Sequence, residues 1–116
     1  MIARMWRGYT TPANADAYES MLEPELLPGL SHKPGFRGSF LFRRPVGDEV
    51  EFVTLILWDS LEHLRALAGN DYETAIVPDE RKGVLSRWDE KATHFDMCSA
   101  RLWIAATRGE RLEFES

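Results

Sequence analysis

The spacing of apolar and polar positions changes along the chain, and each change of period predicts a new secondary-structure element. The clearest strand is predicted over 50–58, where alternate residues project to opposite faces of a sheet. One of these faces carries Val53, Leu55 and Leu57, and the other carries Phe52, Ile56 and Trp58. Because both faces are apolar, we expect both to be buried.

Three further segments have the β-prone and aromatic composition of strands. They are 2–9, 36–44 and 93–97, and a continuation of the last toward residue 104 is left open. In the second of them, Phe36, Phe40 and Phe42 are predicted to share one side. The turn residues at 45–48 predict a hairpin between the second and third strands.

Two segments repeat their apolar residues every three or four positions, which is typical of helices. The first begins at Thr11-Pro12 and continues to residue 30, with Pro24 predicted to kink it. The second follows the cap Ser60 and ends at Gly69, with its leucines facing inward. Residues 72–88 are predicted to form short helical pieces.

The order strand, helix, strand, strand, helix, strand predicts an α+β fold of the ferredoxin-like, split βαβ type, with a four-stranded antiparallel sheet. Two helices can cover only one face of such a sheet. The apolar second face therefore requires another cover, and the sheet of a second copy is the simplest one. The pattern predicts a homodimer.

Composition and charge narrow the class of protein. The 116 residues correspond to one domain, and the net charge of -5 argues against binding to nucleic acid. No apolar run approaches the ~20 residues that a membrane-spanning helix needs, and the first residues lack the apolar core of a signal peptide. The single cysteine, Cys98, excludes an internal disulfide, so a reducing cytoplasm is the expected location.

Several short motifs resemble the antibiotic biosynthesis monooxygenase family. They are Trp6-Arg7-Gly8, Pro34-Gly35-Phe36, Leu57-Trp58-Asp59-Ser60 and His94-Phe95. The resemblance covers residues 1–97, and it implies a dimeric α+β barrel with a pocket between each sheet and its helices. It divides the chain into a domain, 1–98, and a C-terminal extension, 99–116. The apolar residues 102–106 of the extension are expected to lengthen the last strand or to cross to the partner subunit.

Two branches of that family can be compared with this chain position by position. The cofactor-free, quinone-forming branch has a tryptophan that matches Trp58, but its other polar residues fall at Thr54, Leu64 and about Pro78. The haem-degrading branch has an asparagine, a tryptophan and a histidine. These fall at Trp6 or Arg7, at Leu67 and at Val77, and none of the three matches.

The resemblance and the aromatic composition together favour a cofactor-independent monooxygenase that acts on a small aromatic or polyketide-type substrate, with no metal and no cofactor. The alternative is a dimer of the same fold that binds a small molecule without catalysis. Haem degradation and an isomerase-like reaction in the same pocket are less favoured.

The candidate site residues follow from side-chain chemistry. The candidate catalytic residues are His63, His94 and Trp58, with a histidine as general base. The candidate substrate-binding residues are Arg4, Trp6, Tyr18, Phe40 and Phe52. Each also has a purely structural interpretation, such as core packing for Trp58 and Tyr18 and a surface position for His63.

Two further patterns bear on charge and metal binding. Arg4 and Arg7 project to opposite faces of the first strand, so one of them is expected to face buried surface. A buried arginine requires a carboxylate partner or an anionic ligand. His94, Asp96 and Cys98 share one side of the last strand, but one ligand of each kind without a second cluster does not favour a metal site.

Overall fold

The computed structural model describes residues 1–26 and 29–102. The strands are β1 (Ile2–Thr10), β2 (Phe36–Val46), β3 (Glu49–Trp58), β4 (Leu85–Trp88) and β5 (Thr93–Asp96). They form one open antiparallel sheet in which β1 lies between β3 and the pair β4 and β5. A 3₁₀ turn, Pro12–Asn14, leads into α1 (Ala15–Leu26), and α2 (Leu61–Ala68) and α3 (Asp79–Lys82) follow β3. This is the expected α+β, ferredoxin-like arrangement.

The fourth strand of the expected sheet is divided into two short strands. β4 pairs with the end of β1 at Gly8–Thr10, and β5 pairs with its beginning at Ile2–Met5. Part of the segment 72–88 is therefore a strand, where the sequence pattern predicted helical pieces; only Asp79–Lys82 is helical. The last strand ends at Asp96, and residues 97–102 do not extend it. The rest of the extension, 103–116, lies outside the described residues.

The first helix differs at both ends from its prediction. The α-helical part begins at Ala15, after the 3₁₀ turn that Pro12 opens, and ends at Leu26 with Pro24 inside it. Residues 27 and 28, in the predicted continuation to residue 30, lie outside the described residues. The second helix has the predicted limits: the Ser60 side chain accepts a hydrogen bond from the His63 amide, and Gly69 follows the helix at φ 85°.

The helix-covered face of the sheet carries the core. Val50 and Phe52 of β3 pack with Leu85 of β4 and with α1, which contributes Ala15, Tyr18 and Leu22. Tyr18 meets the ring of Phe52 edge to face, with 4.9 Å between centroids. Since an even-numbered residue of β1 or β3 faces the helices, this face also receives Arg4, Trp6, Thr54, Ile56 and Trp58.

The opposite face, here called the outward face, is also apolar along its middle. It carries Met5, Phe40, Phe42, Val53, Leu55, Leu57 and Phe95. Phe42 is 53% exposed in the single chain. The two apolar sides predicted for β3 are confirmed by this register.

Phe36 does not share a side with Phe40 and Phe42, so that part of the prediction is wrong. A β-bulge between Phe36 and Gly38 shifts the register of β2 by one residue. Because side chains alternate with period two, one inserted residue moves Phe36 to the helix-covered face. There its ring meets Trp58 edge to face at 5.9 Å. No helix within the described residues is long and apolar enough to cross a membrane.

Candidate functional site

Two adjoining cavities lie between the helix-covered face and the helices. The first has a volume of about 210 Å³ and reaches α1 and α3, where Leu22, Leu26 and Arg81 contribute to its wall. The second has a volume of about 260 Å³ and lies under α2, against Leu64 and Leu67. Both are lined by Arg4, Leu30, Ile56 and Ile76. Ligand pockets typically occupy ~300–1,000 Å³, a range that the two cavities reach only together.

The outer wall of both cavities is a loop, residues 72–77, here called the rim loop. Its backbone is joined to the segment between β4 and β5: the Ala75 amide donates to the Glu90 carbonyl at 2.9 Å, and the Ala92 amide donates to the Glu73 carbonyl at 2.7 Å. Ile76 lines both cavities although it is 82% exposed, so it lies at their mouth.

Arg4 is the charged residue that the two cavities share. Its Nη2 donates to the carbonyl of Tyr72 in the rim loop at 3.1 Å, whereas its Nε is buried without a hydrogen-bond partner. No carboxylate among the described residues pairs with it. Burial lowers the pKa of Arg4 below its ordinary value, although a guanidinium stays protonated in proteins. The expectation that one of Arg4 and Arg7 faces buried surface is confirmed.

Two tryptophans form flat walls of the site. Trp6 lines the first cavity and is fixed by a hydrogen bond from its Nε1 to the Asp89 carbonyl at 2.6 Å. Trp58 lines the second cavity, is 1% exposed, and buries its Nε1 without a partner. Trp58 is therefore both a core residue and a cavity residue.

His94 lies directly beside Arg4, because the two residues are Cα partners in the β1–β5 pairing. Its ring meets Tyr72 edge to face at 5.1 Å, and its Nε2 is buried without a partner. Burial lowers the pKa of His94, and the positive charge of Arg4 lowers it further, against a smaller opposite effect of Glu73. The imidazole is consequently neutral near pH 7 and able to accept a proton.

His63 lines neither cavity and, unlike His94, is not a strand partner of Arg4. Its Nδ1 is 2.8 Å from the Ser60 hydroxyl at the start of α2. Its ring packs against Gly35, where any added Cβ would collide with the imidazole. The structure thus gives His63 a role at a corner of the fold and does not bring it to Arg4 and Trp58.

The other predicted substrate-binding residues divide between three places. Arg4 and Trp6 line the cavities, whereas Tyr18 and Phe52 are buried in the core and belong to neither lining. Burial raises the pKa of Tyr18 to about 12, and its hydroxyl has no hydrogen-bond partner among the described residues. Phe40 lies on the outward face, opposite Leu55, and is separated from the cavities by the sheet.

The residues fit neither a metal ion nor a haem iron. Among the described residues no group of three or more His, Cys, Asp or Glu side chains could hold a metal, and Asp96 and Cys98 are exposed. Leu67 and Val77, where the haem-degrading branch has a tryptophan and a histidine, line the second and first cavities. Neither side chain can ligate iron, and the described residues of the two linings include no His, Cys, Tyr or Met.

Sequence reasoning missed part of the cavity wall. Glu25 of α1 and Arg81 of α3 form an ion pair at the first cavity, and Ile76 and Val77 of the rim loop close it. The helical spacing in α1 could have predicted Glu25, because it lies a helical turn from Leu22 on the same side. The rim loop carries no periodic pattern, so its position depends on tertiary contacts.

Comparison with solved structures identifies the fold. The chain is similar to two proteins named as putative antibiotic biosynthesis monooxygenases. The protein from Bacillus cereus has a TM-score of 0.61 and 13% identity over 90% of this chain and 98% of that one. The protein from Deinococcus radiodurans has a TM-score of 0.63 and 12% identity over 90% of this chain and 100% of the other.

A third similar structure is the haem degrader MhuD from Mycobacterium tuberculosis, determined with two haems in its active site. Its TM-score is 0.59, with 19% identity over 87% of this chain and 99% of that one. No protein-family profile and no curated protein matches the chain. At these identities the likeness shows a common fold, the one implied by the motifs around Trp58, and leaves the reaction to be argued from the site.

Proposed function

We propose that this protein is a cofactor-independent monooxygenase that oxidises a small, planar aromatic substrate held between the sheet and the helices. The observation that carries the proposal is Arg4 at the junction of two tryptophan-walled cavities, with His94 beside it in the β1–β5 pairing, directly behind the lining. A neutral imidazole can remove a proton from the substrate, and the guanidinium can stabilise the anion that results.

The reaction requires no electron carrier because the substrate and O2 balance each other. Loss of a proton to His94 makes the aromatic electron-rich enough to transfer one electron to O2, and combination of the two radicals forms a C–O bond. Loss of water then leaves a carbonyl group. A ring CH2 is oxidised to C=O, one oxygen atom of O2 enters that group, and the other leaves as water. A substrate bound against Trp6, Trp58 and the rim loop would displace water from the reacting carbon, which protects the reactive intermediates.

Oxygen uptake with anthrone as the substrate tests this proposal. The wild-type protein is expected to consume O2 above the rate in buffer, and His94→Gln is expected to reduce that rate on the order of 10²–10⁴-fold, as loss of a general base does. His63→Gln is the matched control, since the His63 ring is held between Ser60 and Gly35 whereas His94 is the strand partner of Arg4, and it should leave the rate unchanged. Because the pKa of His94 is lowered, activity should persist as the pH falls to 6.5, the ordinary pKa of a histidine.

The second candidate function is binding of the same class of molecule without catalysis. The partly buried guanidinium of Arg4 favours it as much as it favours oxidation, because binding an anion needs no base. Anthrone or a related aromatic that binds but causes no O2 uptake would contradict the monooxygenase and support this alternative. For haem, addition of haemin should give no Soret band of a ligated iron, since neither cavity offers a ligand.

We also propose that two copies associate through their outward faces. Val53, Leu55 and Leu57 of β3 lie there between Met5 of β1 and Phe40 of β2, with no covering element among the described residues. A contiguous apolar surface of this kind is typical of a protein interface. A second copy presents the same surface and can cover it symmetrically.

Size-exclusion chromatography with light scattering tests the association. The wild-type protein should have the mass of a dimer at micromolar concentration. Leu55→Arg should shift it toward the monomer, because the new charge would be buried in the interface. Ala66→Arg, which adds the same charge on the exposed side of α2, should leave the mass unchanged. A monomeric wild type would contradict the proposal.

A further inference from the structure

Several buried nitrogen atoms on the helix-covered face have no hydrogen-bond partner among the described residues. They are Arg4 Nε on β1, Trp58 Nε1 on β3 and His94 Nε2 on β5. The strands that carry them are neighbours in the sheet, with β1 in the middle. Nearly all buried polar atoms in proteins are paired, so a group of unpaired nitrogens on one face requires an explanation.

The charge of Arg4 indicates which kind of ligand would pair with these nitrogen atoms. Each other arginine in the described strands has a carboxylate beside it, as Arg7 has Asp89 at 2.8 Å and Arg43 has Asp16 at 3.0 Å. Within the part of the chain that the structure describes, the side chain of Arg4 has only a backbone carbonyl, that of Tyr72. A partly buried guanidinium without a counter-ion is costly for the folded protein, and an anion bound beside it reduces that cost.

We infer that Arg4 is the recognition group for an anionic substituent of the ligand, and that this ligand is an aromatic carboxylate. The inference rests on the proposed function for its cavity and adds the class of ligand. The planar fork of a guanidinium matches a carboxylate better than it matches a neutral carbonyl. Arg4 lies where the two cavities meet, so the carboxylate would bind there while the rings extend toward Trp6 or Trp58.

Two naphthalene compounds of nearly equal shape test the inference: 1-hydroxy-2-naphthoate, which is an anion at pH 7, and the neutral 1-hydroxy-2-naphthamide. Quenching of tryptophan fluorescence reports binding, since Trp6 and Trp58 line the cavities. The wild-type protein is expected to bind the acid on the order of tenfold more tightly than the amide. Arg4→Gln should remove this preference, and Arg4→Lys should retain part of it.

Arg7→Gln is the matched control, because Arg7 lies on the same strand but on the outward face, paired with Asp89. It should keep the full preference for the acid. Thermal unfolding without ligand gives a second measurement: Arg4→Gln should unfold at the wild-type temperature or above it, since it removes a partly buried charge that has no carboxylate partner among the described residues. Equal affinity of the wild type for acid and amide, or an unchanged preference in Arg4→Gln, would overturn the inference.

The outcome can be separated from that of the proposed oxidation. A preference for the acid that depends on Arg4, without any O2 uptake, supports the anion site and contradicts the monooxygenase. Oxidation of anthrone that depends on His94, with no preference between acid and amide, supports the monooxygenase and contradicts the anion site.

Discussion

On the outward face of the sheet, arginines lie beside carboxylates, whereas on the helix-covered face Arg4 does not. Arg44 donates to Glu51 at 2.8 Å and Arg87 donates to Glu49 at 2.9 Å, so the charges of the outward face are satisfied within the chain. Arg4 is more deeply placed and is satisfied only in part. The difference in charge pairing, with Arg4 left incomplete on the helix-covered face, indicates where the chain can receive an anion.

The two faces also differ in how firmly their aromatic residues are held. Phe52 is 1% exposed among the helices, whereas Phe42 is half exposed on the outward face of the neighbouring strand. The helix-covered face therefore stabilises the single chain, and the outward face gains its stabilisation from whatever covers it. Each prediction below tests one part of this difference.

The largest expected effect is the loss of a core aromatic. Phe52→Ala should lower the free energy of unfolding by about 3–5 kcal/mol, because it opens a cavity beside Tyr18. Urea titration measures it. Phe42→Ala is the matched change on the outward face. If the chain is a monomer it should cost less than about 1 kcal/mol, and a concentration-dependent loss would instead sharpen the argument for a dimer.

A smaller loss is expected at the corner where β2 begins. Gly35→Ala should destabilise the protein by about 1–3 kcal/mol, because Gly35 has φ 82° and an added Cβ would collide with the ring of His63. Thermal unfolding is the measurement. Gly47→Ala provides the control: it shares the positive φ, but an added Cβ meets nothing within 4 Å. Equal losses in both variants would show that the contact with His63 is unimportant.

The outward face should lose stability in acid through Glu51. The Arg44 side chain lowers the pKa of Glu51 below 4.5, and the hydroxyl of Tyr9 donates a second hydrogen bond to the carboxylate at 2.9 Å. A depressed pKa means that the stabilisation is complete above the unfolded-state pKa and is lost as the pH falls through the folded-state value.

Glu51→Gln should therefore cost about 1 kcal/mol at pH 7, a modest value because Arg44 is largely exposed. The difference from wild type should shrink below pH 4.5. Urea titrations at several pH values measure both effects. A difference that does not depend on pH would contradict this role of the carboxylate.

The smallest effect is expected for Tyr18→Phe. The Tyr18 hydroxyl is buried without a partner among the described residues, so removing it should change the free energy of unfolding by less than about 1 kcal/mol, and in the stabilising direction. O2 uptake should be unchanged as well, because Tyr18 lines neither cavity. A large loss of stability would show that the hydroxyl does have a partner.

Local patterns in the sequence predicted the parts of the fold that depend on local chemistry. The alternation in β3, the Ser60 cap and the opposite orientations of Arg4 and Arg7 all follow from the period of a strand or the needs of a helix end. The placement of Phe36 failed because a bulge adds one residue without any signal that the pattern makes visible. β4 was missed because four residues are too short to show a period.

The site, like the fold, was predictable only where it depends on local patterns in the sequence. Arg4, Trp6 and Trp58 belong to well-patterned strands, and the structure places them at the cavities. His63 was selected for its chemistry, but its position depends on the close approach of Gly35, which joins distant parts of the chain. The rim loop, which supplies the outer wall, has no pattern to read, and its attachment to residues 90–92 is a tertiary contact.

That attachment couples the outer wall of the site to the segment between β4 and β5. The amides of Ala75 and Ala92 join the rim loop to the segment between β4 and β5, and the bridge between Thr74 and Lys91 lies between them. A ligand that binds behind Ile76 would pack against this short ladder, so we expect hydrogen exchange at the two amides to be correlated and to slow together when the cavity fills.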